Sequence, residues 1–126
     1  MGFFNFSNSN ERKAKISHIK DLLAVAFADG KIHPREIQLL ETILKREGLE
    51  KNEVDKILQN PDVEIVRPES VERQAKYLQD LVIMMMVDGD INENEKELCK
   101  SIALSYGYDP GIIDAFILET LREATS

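Results

Sequence analysis

The chain has 126 residues, 43% of them hydrophobic and 31% charged, with a formal net charge of −7. That is the length of one ordinary domain with a modest core, and its acidity excludes a general nucleic-acid binder, which needs a basic face for phosphates. The single cysteine, Cys99, excludes an intrachain disulfide and a cysteine cluster for zinc.

Residues 1–10 read as an N-terminal tail in which Phe3, Phe4 and Phe6 stand among Asn and Ser. Three aromatics in so short a segment are expected to pack on the protein's own core, since no Lys or Arg accompanies them to hold anionic lipid. Gly2 lacks the hydroxyl residue that a myristoylation signal carries four positions later; Phe6 stands there. A first helix is predicted over about 11–28, from Ile16, Ile19, Leu22, Leu23, Ala26 and Phe27 at helical spacing. Gly30 suits the left-handed residue that ends it. A second helix opens at Pro34, with His33 as N-cap and Glu36 at N3, and ends at Gly48. Its inward stripe is Ile37, Leu40, Ile43 and Leu44. A short third helix, about 50–59, turns Val54, Ile57 and Leu58 inward and stops at Asn60-Pro61.

Residues 60–67 read as a linker. Pro68 is expected to open a fourth helix running to about 87, whose end, from Leu81 to Val87, is apolar nearly all round and so buried on most sides. Met84, Met85 and Met86 read as core filling. A fifth helix, about 93–106, buries Leu98, Cys99, Ile102 and Ala103. Asp109-Pro110 opens a sixth, about 110–123, with Ile113, Phe116, Ile117 and Leu121 inward. No stretch alternates long enough for a strand, so the fold class is all-α: a compact bundle of about six main helices. The apolar run from Leu81 to Val87 is far short of the ~20 residues that span a bilayer. A cytoplasmic protein with no transmembrane segment is expected.

The chain states one motif twice. Ala28-Asp29-Gly30-Lys31-Ile32-His33-Pro34-Arg35-Glu36 and Val87-Asp88-Gly89-Asp90-Ile91-Asn92-Glu93-Asn94-Glu95 both read Asp-Gly-x-Ile-x-x-x-Glu, 59 residues apart. The same offset carries Asp21 to Asp80, Leu22 to Leu81, Leu39 to Leu98, Ile43 to Ile102 and Gly48 to Gly107. Residues 18–58 and 77–117 are therefore read as two pseudo-symmetric three-helix repeats within one domain, 11–126. Asp21 and Asp80 are read as solvated helix positions or partner contacts, too far along the helix from the motif aspartates to share an ion with them.

Asp29 and Asp88 stand at helix C-termini, where a carboxylate opposes the helix dipole. Two uses account for that placement. As turn formers, the aspartates accept backbone N–H groups in Asx-turns, and Glu36 and Glu95 reach back to their N-caps. As ligands, they match the second half of an EF-hand loop, in which the Asp before the glycine and the Glu seven residues later bind calcium. The first half fails: Val25 and Phe27, or Met84 and Met86, occupy the earlier ligand positions. A cation site would therefore pool Asp29, Glu36, Asp88, Asp90 and Glu95 from both copies or leave water on the ion, and calcium or magnesium is the expected ion. His33, beside Asp29, is a further ligand candidate but reads first as the N-cap before Pro34.

An all-α chain carrying Ala-Asp-Gly-x-Ile-x-x-x-Glu and, later, Val-Asp-Gly-Asp-Ile-x-x-x-Glu resembles the TerB-like family, which includes bacterial tellurite-resistance TerB proteins and the domain preceding the J-domain of DjlA-type co-chaperones. The likeness covers about residues 15–120. It implies a compact helical fold with acidic residues clustered near the two turns, an association with stress responses, and divalent-cation binding at Asp29, Glu36, Asp88 and Glu95. Lys31, His33 and Arg35 depart from the acidic residues common in the family's first motif. No J-domain is present, so the co-chaperone role does not transfer.

The expected function is a non-enzymatic, cation-responsive module acting on protein partners, with self-association into a homo-oligomer left open. The alternative is a plain interaction domain whose acidic turns are only caps. An enzyme ranks third: there is no nucleophile constellation and no phosphate loop.

Overall fold

A computed structural model describes the backbone of residues 2–59 and 65–125 and the side chains of residues 10–59 and 65–124. The described chain is all-helical. Its elements are α1 (Gly2–Ala26), α2 (Pro34–Glu47), α3 (Lys51–Gln59), α4 (Val71–Met86), α5 (Glu93–Ser105) and α6 (Gly111–Thr125). The long helices α1 and α4 pack against each other at the centre; α2, α3 and α5 also lie on α1, and α2, α5 and α6 on α4.

Burial explains that arrangement. Ile19, Leu22 and Val25 of α1 are fully buried, as are Leu78, Leu81, Val82 and Met85 of α4. Each such side chain contributes roughly 1.5–3 kcal/mol when taken from water. Met84 and Met85 are core, as the apolar run implied, while Ile83 reaches the surface. Cys99, Ile102 and Ala103 close the core from α5, and Ile113 and Ile117 from α6.

Several boundaries and faces differ from the sequence expectation. Helix α1 runs back to Gly2, because no proline or glycine interrupts residues 3–29. The packing expected of Phe3, Phe4 and Phe6 concerns side chains outside the described residues, as does most of the linker at 60–64. Helix α4 starts at Val71 rather than Pro68: Ser70 is the N-cap, its Oγ accepting the Arg73 N–H at 3.1 Å. Serine satisfies an orphan helix donor, which proline has no means to do. Ile37 and Leu58 are exposed, as are Phe27, in the turn after α1, and Leu121, on the overhanging end of α6. On α2 the inward face is shared instead by Glu36, Ile43 and Glu47.

Asp21 and Asp80, expected on solvated faces, are both buried. Asp80 accepts two hydrogen bonds from the Arg46 guanidinium, at 3.0 and 2.5 Å, and contacts His18 Nε2 at 2.8 Å. His18 stacks on Tyr77, with ring centroids 3.7 Å apart, and the Tyr77 hydroxyl donates to Glu47. Burial works to raise the Asp80 pKa, but His18 and Arg46 outweigh it and hold the carboxyl below its ordinary range. The paired charges make this a buried polar seam joining α1, α2 and α4.

Candidate functional site

The two motif turns have the same local construction. Gly30 and Gly89 take positive φ, 85° and 94°. Asp29 Oδ1 accepts the Lys31 N–H at 3.1 Å, and Asp88 Oδ1 accepts the Asp90 N–H at 3.1 Å. Each aspartate thereby closes an Asx-turn with one oxygen.

Beyond the turns the copies diverge in how the next helix is capped. At the start of α2, Glu36 Oε1 reaches back to accept the His33 N–H at 2.8 Å, and the His33 ring makes no cap bond. At the start of α5 the N-cap itself does the work: Asn92 Oδ1 accepts the N–H groups of Asn94 and Glu95, at 2.8 and 3.3 Å. So the first copy is capped by its N3 carboxylate and the second by its N-cap side chain. His33 Nε2 points across to Asp88 Oδ2 at 3.5 Å. Glu95 is only 2% exposed.

Groups from the two motif segments meet. Donor atoms of His33, Glu36 and Asp88 lie within 4.8 Å of one another. The Glu95 pKa is pushed up to about 7, first by burial and then by the carboxylates of Glu36, Asp29 and Asp88. Glu36 is likewise raised, chiefly by burial, with Asp88 and Asp29 adding to it against the opposing hydrogen bond from His33. Like charges brought together in this way disfavour one another's ionised form.

Of the five carboxylates expected to pool, Asp29, Glu36, Asp88 and Glu95 therefore share one electrostatic neighbourhood. Asp90 is exposed, and its backbone N–H closes the Asp88 turn. His33 is the N-cap residue of α2, as the sequence placed it, and its ring also stands among the donors. The signal available was the repeat itself: the offset aligns His33 with Asn92, and asparagine is the better cap.

No family model matches the chain, and no curated protein or solved structure matches it.

Two surface depressions are lined by residues outside the motif turns. One depression of about 550 Å³ is bordered by Asn10, Glu11 and residues 66–70. Another, of about 470 Å³, lies over Arg46, Arg73 and Lys76. Cys99 is buried, and burial pushes its thiol up to about 12, the behaviour of a core cysteine rather than a nucleophile. Among the described residues no helix is long and apolar enough to cross a membrane.

Proposed function

We propose that this protein is a TerB-like, non-enzymatic module of the bacterial cytoplasm that binds a divalent cation between its two motif turns and engages protein partners in a stress response. The observation that carries the reading is the meeting of the two turns, where donor atoms of His33, Glu36 and Asp88 lie within 4.8 Å of one another beside the buried Glu95. A buried charge in that position is costly unless a countercharge arrives. Asp29, Glu36 and Asp88 supply further oxygens, and a cation among them would turn mutual repulsion into attraction. Because the donors come from the starts of α2 and α5 and the turns before them, ion binding would bear on both halves of the domain, which is what a responsive interaction surface needs.

The second reading, an interaction domain whose acidic turns are only structural, is favoured by the bonds that Asp29, Asp88 and Glu36 already make to backbone N–H groups. Replacing Asp29 and Asp88 together by Asn separates the two. Asn keeps the oxygen for the Asx-turn and removes the charge. Under the cation reading, the double variant melts higher than the parent in the absence of divalent ion, because repulsion is relieved. The parent gains roughly 2.7 kcal/mol at a hundredfold excess of ion over its dissociation constant, and the variant loses that gain. Melting curves that coincide for both proteins, with and without divalent ion, would leave the turns as caps.

A further inference from the structure

We propose that His18, Asp21 and Tyr106 together bind one internal water molecule, which extends the buried polar seam from α1, α2 and α4 to α5. Three side chains carry the inference. His18 Nδ1, Asp21 Oδ2 and the Tyr106 hydroxyl are buried and have no hydrogen-bond partner. The three residues are 0%, 7% and 1% exposed. Buried polar atoms in folded proteins are satisfied nearly without exception, so three orphans in one region call for one partner.

The three share a neighbourhood. His18 and Asp21 stand three residues apart on α1, on one face of the helix. His18 Nε2 contacts the Asp80 carboxylate at 2.8 Å. Tyr106, the C-cap of α5, has its pKa raised first by burial and then by the charges of Asp21 and Asp80. Its hydroxyl therefore lies in the field of both carboxylates, one in contact with the His18 ring and the other a turn along the same helix.

The offset of 59 shows why side chains alone do not close this set. It pairs His18 with Tyr77, Asp21 with Asp80, Arg46 with Ser105 and Glu47 with Tyr106. In the seam, Asp80 takes the Arg46 guanidinium and Glu47 takes the Tyr77 hydroxyl. At the corresponding position Asp21 is offered only the short Ser105, whose hydroxyl donates to the Ile102 carbonyl. A long guanidinium completes one set, and a water completes the other.

The bonding capacities match. Burial lowers the His18 pKa and keeps the ring neutral, and the Asp80 carboxylate fixes its one proton on Nε2. Nδ1 is then a lone pair in search of a donor. Tyr106 offers a hydrogen. Asp21 Oδ2 accepts when ionised and donates when protonated. A water, with two hydrogens and two lone pairs, donates to Nδ1, accepts from Tyr106 and serves Asp21 in either state. Three bonds are typical of a buried water.

Crystallography of the parent protein, at a resolution that shows ordered water, tests the proposal directly. The expected result is one density peak about 2.6–3.2 Å from all three atoms. A Tyr106 hydroxyl bonded directly to His18 Nδ1, or three atoms with no peak among them, would overturn it. Oxygen-17 relaxation dispersion, which counts waters held inside a fold, is the measurement in solution. The Asp21→Leu, Tyr106→Phe double variant removes two of the three partners without removing side-chain bulk, and His18 alone is too little to hold a water. Its dispersion amplitude should fall by about one water per molecule, while Asp21→Asn, which keeps a polar partner, retains the parent's. Equal amplitudes for the parent and the double variant would overturn the site.

Discussion

Asp21 shows what a single buried carboxyl does to this fold. It is 7% exposed, its Oδ2 has no hydrogen-bond partner, and burial raises its pKa from 3.8 to about 7. A folded-state pKa above the unfolded one contributes stability that is complete below the unfolded value. That stability is lost as pH rises through the folded value. Between about pH 4 and pH 7 the folded protein holds a proton here that the unfolded chain has released. Above that window the full difference is gone, up to about 4 kcal/mol at 1.36 kcal/mol per unit. Asp21→Asn cannot ionise, so its stability relative to the parent should improve as pH is raised from 5 to 8. Urea unfolding of both proteins at the two pH values measures this; a difference that does not change with pH would place the Asp21 charge outside the energetics. The sequence concealed this residue because a charged side chain on an otherwise apolar helix reads as the solvent face. Its burial depends on what α5 brings over it, and Tyr106 of that region feels the Asp21 charge.

The elements themselves were mostly readable. Six apolar stripes at helical spacing mark six helices, and each of the five breaks between them holds a glycine or a proline. What periodicity missed was polar. The inward face of α2 carries Glu36 and Glu47, so the apolar count there overstated Ile37. The start of α4 is set by the Ser70 hydroxyl, a cap that Pro68 two residues earlier obscured. The motif turns offer a test of the repeat at this scale. Gly30 and Gly89 both have positive φ, and a Cβ built on either meets nothing within 4 Å. Substitution by Ala should therefore cost only the backbone penalty, about 1–2 kcal/mol each, and about the same in both turns. The two are to be compared by thermal unfolding of the single variants. A cost confined to one of them would mean that the turns, though alike in sequence, are not held alike.

At the scale of the whole molecule, the offset of 59 made the meeting of the two turns arguable, but not the buried seam of His18, Arg46, Asp80, Tyr77 and Glu47. That seam depends on partners 62 and 34 residues apart in the chain, and no local pattern announces them. The same distances govern the order in which the protein assembles. Helical hairpins close over short loops, whereas the Arg46–Asp80–His18 contacts must wait until α1, α2 and α4 are together, after the loop-closure entropy has been met. Asp80→Ala strands Arg46 and His18 and should cost about 3 kcal/mol, the lower end for a broken buried pair because Arg46 is a third exposed. Since the seam forms late, the loss should fall on the unfolding rate, which rises roughly hundredfold, while the folding rate scarcely changes. Stopped-flow folding and unfolding of the variant would show a shifted unfolding limb and an unmoved folding limb. The polar seam would then act as a latch, setting how long the native state persists rather than how quickly it is reached.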